Sequence, residues 1–133
     1  MSTKKTPEER KEFQTMLRHM WKTAKELTEK EGNSVQAVID TLGIEASPIS
    51  FILVRSQMRA QGLEGTPYID MKTFQGWIEN GFKVKKGEKA KAYGITWVAV
   101  KSKDEDNKVM SEDDYMYPKA YYLFHKDQVE PIE

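Results

Sequence analysis

The sequence predicts an α+β fold, with about four N-terminal helices followed by a lysine-rich turn and an antiparallel β-hairpin. Three observations carry this expectation. Apolar residues recur at helical spacing through the N-terminal half. Two runs rich in β-branched and aromatic residues, Tyr93–Val100 (YGITWVAV) and Lys119–His125, follow near the C-terminus and read as strands. Between the two regions, Lys85-Lys86-Gly87-Glu88 supplies the residues of a turn.

Each element has its own signals. Met1–Lys5 is a polar start, expected to be disordered. Thr6-Pro7-Glu8-Glu9 opens the first helix, with Thr6 as N-cap, Pro7 at the first helical position and Glu9 completing a capping box. Phe13, Met16, Leu17, Met20, Ala24 and Leu27 mark its apolar face, with Trp21 at the edge and Gly32 as the expected stop. Asn33-Ser34 caps a second, shorter helix bearing Val35, Val38, Ile39 and Leu42, closed by Gly43, so residues 6–43 hold the N-terminal helices. Ser47-Pro48 opens a third that runs to about Ala60, before Gly62. Ile52, Leu53 and Met58 belong to its core face, whereas Arg55 and Gln57 either form a solvated flank or face a ligand. Leu63–Ile69 is a loop broken by Gly65 and Pro67, and Asp70 is the expected cap of a fourth helix carrying Phe74, Trp77 and Ile78. Asn80-Gly81 ends that helix. The two strands are expected to pair across a polar connection at 102–117, with a short third strand near Tyr68 and a helical turn at Lys126–Val129 before Pro131. No repeat or second domain is visible, so 1–133 reads as one domain.

Composition narrows the function classes. The 21 basic residues balance 21 acidic ones, so only the local distribution of charge can steer a partner. Cysteine is absent, which removes disulfides, thiolate metal sites and a cysteine nucleophile. No apolar run approaches the roughly 20 residues of a membrane span, and no signal-peptide pattern follows the start. A cytoplasmic protein without membrane association is expected. His19 and His125 have no serine–acid pattern beside them, and His-Glu-x-x-His is missing. Asp104-x-Asp106 begins like a calcium loop but lacks its glycine and closing glutamate. The expectation is therefore no enzyme, no metal and no cofactor, with His125 structural.

Charge patterning points elsewhere. Lys83, Lys85, Lys86, Lys89 and Lys91 fall within nine residues against a single Glu88, which suits a polyanion. Single-strand binding couples such cations to aromatic faces on which bases stack. Tyr68, Phe74, Trp77, Trp97, Tyr121 and Tyr122 lie in the segments that should meet around the turn, although Trp77 and Trp97 read first as core, since a small α+β domain needs large apolar residues. Alternation sends Tyr121 and Tyr122 to opposite faces, so at most one of them stacks. The acidic connection, with Asp104, Glu105, Asp106, Glu112, Asp113 and Asp114, is either a solvated loop or a surface for a basic partner.

Three blocks in order, within residues 44–130, carry a family resemblance. Ser47-Pro48-x-x-Phe51-Ile52-Leu53-Val54-x-x-Gln57 comes first. Gln75-x-Trp77, Gly81 and Val84-Lys85-Lys86-Gly87-Glu88-Lys89 follow, and Tyr122-Leu123-Phe124-x-x-x-Gln128 closes the set. Together they resemble the N-terminal domain of ArdC-type antirestriction proteins. Ile49-Ser50 stands where that family has an Asn pair, and Ala90 where it has Gly. Family members carry a metallopeptidase-like domain after this segment, and no counterpart of it is expected in this chain. The resemblance implies sequence-independent binding of single-stranded DNA in the service of antirestriction for a mobile genetic element, a phage or plasmid. Arg55, Gln57, Lys83, Lys85, Lys86, Lys89, Lys91, Trp77 and Tyr121 are the expected contacts. The alternative from another class is a small inhibitor or adaptor that binds a host defence or replication protein through its first helix and acidic loop.

Overall fold

The computed structural model describes residues 6–99 and 116–133. The expected disordered start at 1–5 and the acidic stretch up to residue 115 lie outside the described residues. Among the described residues, three α-helices, rather than four, precede and accompany an antiparallel sheet.

The first helix, α1 (Pro7–Leu42), is a single rod of 36 residues. Thr6 caps it, accepting from the Glu9 N–H at 3.1 Å, and Gly43 closes it in a left-handed conformation. The stop expected at Gly32 does not occur. Ser34 donates its hydroxyl to the Glu31 carbonyl instead of capping a new helix. The physical reason is phase: the buried residues Leu17, Ala24, Val35 and Ile39 are spaced by whole turns of a 3.6-residue helix, straight through Gly32. A mid-helix glycine costs about 1 kcal/mol. Burying Val35 and Ile39 against the second helix returns about 1.5–3 kcal/mol each, so continuity wins.

The second helix, α2 (Pro48–Gln61), starts at Ser47 and ends at Gly62, as its sequence signals indicate. It packs on α1 through Phe51, Ile52 and Leu53, while Val54 and Met58 enter a second cluster with Met71, Ala92 and Leu123. Asp70 is not a helix cap. Met71–Lys72 form a short strand, β1, and the helix α3 (Phe74–Glu79) begins only after Thr73, which accepts from the Gly76 N–H at 3.0 Å. Met71 is fully buried, which draws this segment into the sheet. Asp70 instead accepts from the Thr66 N–H at 2.6 Å, closing the loop before it.

Strand β2 (Phe82–Val84) follows Gly81, and β3 (Ala92–Ala99) follows the lysine turn. Strand β4 (Met116–His125) starts earlier than the sequence indicates, taking Met116 and Tyr117 from the stretch read as loop. A 3-10 turn at Lys126–Gln128 leads into β5 (Val129–Pro131). The larger sheet runs β1-β4-β3, all antiparallel, and β2 pairs with β5 in a separate ribbon. Ile95 and Trp97 of β3, with Ala120 of β4, join the α1–α2 core. Ala92 and Leu123 join the second cluster.

At Tyr93 the open edge of β3 is met by a side chain. Gln57 donates its amide to the Tyr93 carbonyl at 2.7 Å and accepts the Tyr93 N–H at 2.9 Å, as a neighbouring strand would. Across the ladder, Tyr121 lies flat against Gly94, its register partner, and a methyl group at Gly94 would overlap the ring. Among the described residues, no helix is long and apolar enough to cross a membrane.

The continuity of α1 has a direct test. A Cβ at Gly32 would meet only the Thr28 methyl, at 3.3 Å. Gly32→Ala is expected to raise stability by a few tenths to about 1 kcal/mol in urea unfolding. A loss of stability would show that the Thr28 side chain, held by its hydroxyl's bond to the Ala24 carbonyl at 2.7 Å, does not give way to the added methyl.

Candidate nucleic-acid interface

The lysine turn is fastened at both ends. In β2, Phe82 and Val84 point inward and Lys83 outward, and Phe82 meets the Trp77 ring edge-on at 5.7 Å. Lys85 N–H donates to the Gln128 carbonyl at 2.8 Å, and Glu88 N–H returns to the Lys85 carbonyl at 3.2 Å. Gly87 supplies the positive φ of 87° that this turn needs. Gln128 is buried beneath. Its amide donates to the Lys89 carbonyl at 2.6 Å and to the Glu88 carboxylate at 3.1 Å, and its oxygen accepts the His125 N–H at 2.8 Å. One buried amide therefore ties the turn to the end of β4.

His125 completes this anchor. Its Nδ1 accepts the Asp127 N–H at 3.2 Å, so Nε2 carries the proton and donates to the Glu64 carbonyl at 2.6 Å. Among the described residues, no group of three histidine, aspartate or glutamate side chains is placed to hold a metal ion.

The cations differ in how much they are already engaged. Lys83 lies 3.8 Å from Glu130, an exposed pair of the kind worth little, and Lys85 donates to the Asp127 carbonyl at 3.2 Å. Among the described residues, Lys86, Lys89 and Lys91 have no ion-pair partner. All five lysines are exposed.

Beside the turn lies an open, largely apolar groove of about 610 Å³, lined by Thr73, Phe74, Gln75, Lys89, Ala90, Tyr121, Tyr122 and Phe124. Phe74 is 52% exposed and Tyr122 48%. Phe74 meets Phe124 edge-on at 6.3 Å, and Tyr122 meets Tyr93 edge-on at 5.5 Å, so each ring is held from one side. Lys89 thus shares one concave surface with two half-exposed aromatic rings.

The remaining expected contacts lie elsewhere. Arg55 reaches back to Glu31 of α1 at 3.0 Å, with its Nε buried and unpartnered. Gln57 serves the β3 edge, and Trp77 is buried, its indole N–H donating to the Phe124 carbonyl at 2.8 Å. These three residues hold the fold because each has a main-chain or charged partner within reach of its helix. Tyr121 does line the groove, but its hydroxyl bonds that of Tyr68 at 2.6 Å. Phe74 and Tyr122 take the exposed positions instead. The strand parity that buries Leu123 with Tyr121 turns Tyr122 outward, and that signal is present in the sequence. Gln128 was legible as a motif position, whereas its role under the turn depends on a contact across some 40 residues.

A scan against known protein families, a search of characterised proteins and a search of solved structures each return no match.

Burial, the neighbouring Tyr121 and their hydrogen bond push the Tyr68 hydroxyl well above the ordinary tyrosine range, against a smaller opposing effect of Ser50. A raised folded value means that this contribution to stability is complete below about pH 10 and is lost as pH rises beyond it. The stability difference between the parent chain and Tyr68→Phe should therefore shrink between about pH 9 and pH 11 in urea titrations. A constant difference would show that the hydroxyl ionises as freely as in an unfolded chain.

Proposed function

We propose that this protein binds single-stranded DNA without sequence preference as its main mode, with the lysine turn on the phosphates and the Phe74–Tyr122 groove on the bases. The observation that carries the reading is the shared surface of Lys89, Phe74 and Tyr122 beside a rigidly held cationic turn. Lysines neutralise phosphates and release counterions whatever the sequence. Exposed rings accept any base, each stacked base being worth about 1–3 kcal/mol. A paired duplex hides its base faces, and the cations here sit on a turn rather than along a groove-reading helix. The groove therefore favours a single strand over a duplex.

The family resemblance extends this reading to biology. As in ArdC-type antirestriction proteins, binding would protect the incoming DNA of a mobile genetic element. The contacts proposed are Lys83, Lys85, Lys86, Lys89 and Lys91 for the backbone, and Phe74 and Tyr122 for stacking.

The test is fluorescence anisotropy of a labelled oligonucleotide of about 20 nucleotides at several salt concentrations, with a matched duplex alongside. With three to five lysines engaged, the log–log salt slope is expected near −2 to −3.5, at about −0.7 per phosphate. Lys86→Ala with Lys89→Ala should flatten that slope by about 1.4. Phe74→Ala or Tyr122→Ala should weaken binding roughly 5- to 150-fold on every sequence at unchanged slope. Parent-like affinity in all of these variants, or equal affinity for the duplex, would overturn the assignment.

A further inference from the structure

A second hollow adjoins the groove. It holds about 380 Å³ between the α1–α2 corner, the Tyr68–Thr73 segment and α3, and it shares Thr73 and Tyr121 with the groove. It is the more enclosed of the two and has a mixed lining, with polar groups from Glu45, Tyr68, Lys72, Thr73 and Asn80 set among Ile44, Met71 and Leu123. Such concave sites, apolar with a few convergent polar groups, are where small flat ligands bind.

The backbone on its wall is strained. Tyr68 is the non-glycine residue with positive φ among the described residues, at 66°, and the Lys72 ammonium holds its carbonyl at 2.8 Å. Strain of this kind persists where surrounding contacts fix it, and it clusters at ligand clamps.

A pair of hydroxyls stands on the same wall. The Tyr68 and Tyr121 oxygens lie 2.6 Å apart and share one hydrogen bond between them. Two hydroxyls carry two protons, so one O–H of the pair is left without an acceptor among the described residues. Tyr121 is the member of the pair that lines both the hollow and the groove, and a donor already engaged in such a bond is strengthened by it.

We propose that this hollow takes one nucleobase from a strand lying in the groove, and that the Tyr121 O–H donates to a carbonyl oxygen on that base. The proposal rests on the single-strand reading above and adds a modest preference to it. Thymine, cytosine and guanine carry such an oxygen, whereas adenine offers only ring nitrogens. A neutral hydrogen bond of this kind corresponds to about a two- to tenfold difference in affinity.

Anisotropy with labelled oligothymidylate and oligodeoxyadenylate of equal length, on the full chain and on Tyr121→Phe, decides the matter. The parent chain is expected to favour oligothymidylate about two- to tenfold, and Tyr121→Phe to lose that preference at an unchanged salt slope while staying folded by circular dichroism. Equal binding of the two oligonucleotides by the parent would overturn the base pocket and leave the single-strand reading standing. So would a preference that survives in Tyr121→Phe, because it would then arise from stacking within the oligonucleotide itself. Should Tyr121→Phe fail to fold, Leu42→Trp, at a half-exposed position that lines the hollow and not the groove, supplies the second variant and should abolish the same preference. Absence of binding to both oligonucleotides by the parent would overturn the single-strand reading and this inference with it.

Discussion

Strand β4 is the constraint on which the other elements depend. It pairs with β1 on one side and β3 on the other, sends Ala120 into the α1–α2 core and Leu123 into the second cluster, and runs directly into the 3-10 turn that carries Gln128. Its alternation sets which rings are buried and which are exposed. Its C-terminal end fixes the lysine turn through main-chain and amide bonds, so the charged loop inherits the position of the sheet. A displacement of β4 by one residue would exchange Tyr121 with Tyr122 and Leu123 with Phe124, moving core and groove together.

That dependence separates two kinds of polar residue in this chain. Gln57 and Gln128 spend both ends of their amides on the backbone of another element. Leaving such groups unpaired after burial costs about 1–3 kcal/mol each, so their value is in fixing geometry. The exposed lysines contribute little to stability and keep their charge available. Buried neutral amides below and exposed cations above make a charged surface whose position is set by the fold.

Much of the architecture was legible from local signals. The caps at Thr6 and Ser47, the ends at Gly43, Gly62 and Gly81, and the pairing of the two long strands follow from residues adjacent in sequence. What local signals could not rank was competition with tertiary contacts. Gly32 and Ser34 look like a helix boundary until the burial of Val35 and Ile39 on α2 is counted. Asp70 looks like a cap until Met71 is drawn into the sheet. For the site, the lysines were recognisable because charge clusters are local, while Arg55 and Gln57 looked available because their partners lie 24 and 36 residues away, and Trp77, readable as core from its size, has its indole partner 47 residues away.

The glutamine that meets the edge of β3 at Tyr93 also bears on how copies of this protein coexist. An unpaired strand edge is a template on which a second chain can add, and sheets that present one tend to knit into fibres. At Tyr93 an approaching chain meets no open donor or acceptor, because α2 has already answered both. Molecules crowded side by side are thus kept from joining through this part of their sheets, and close packing of many copies does not become polymerisation there.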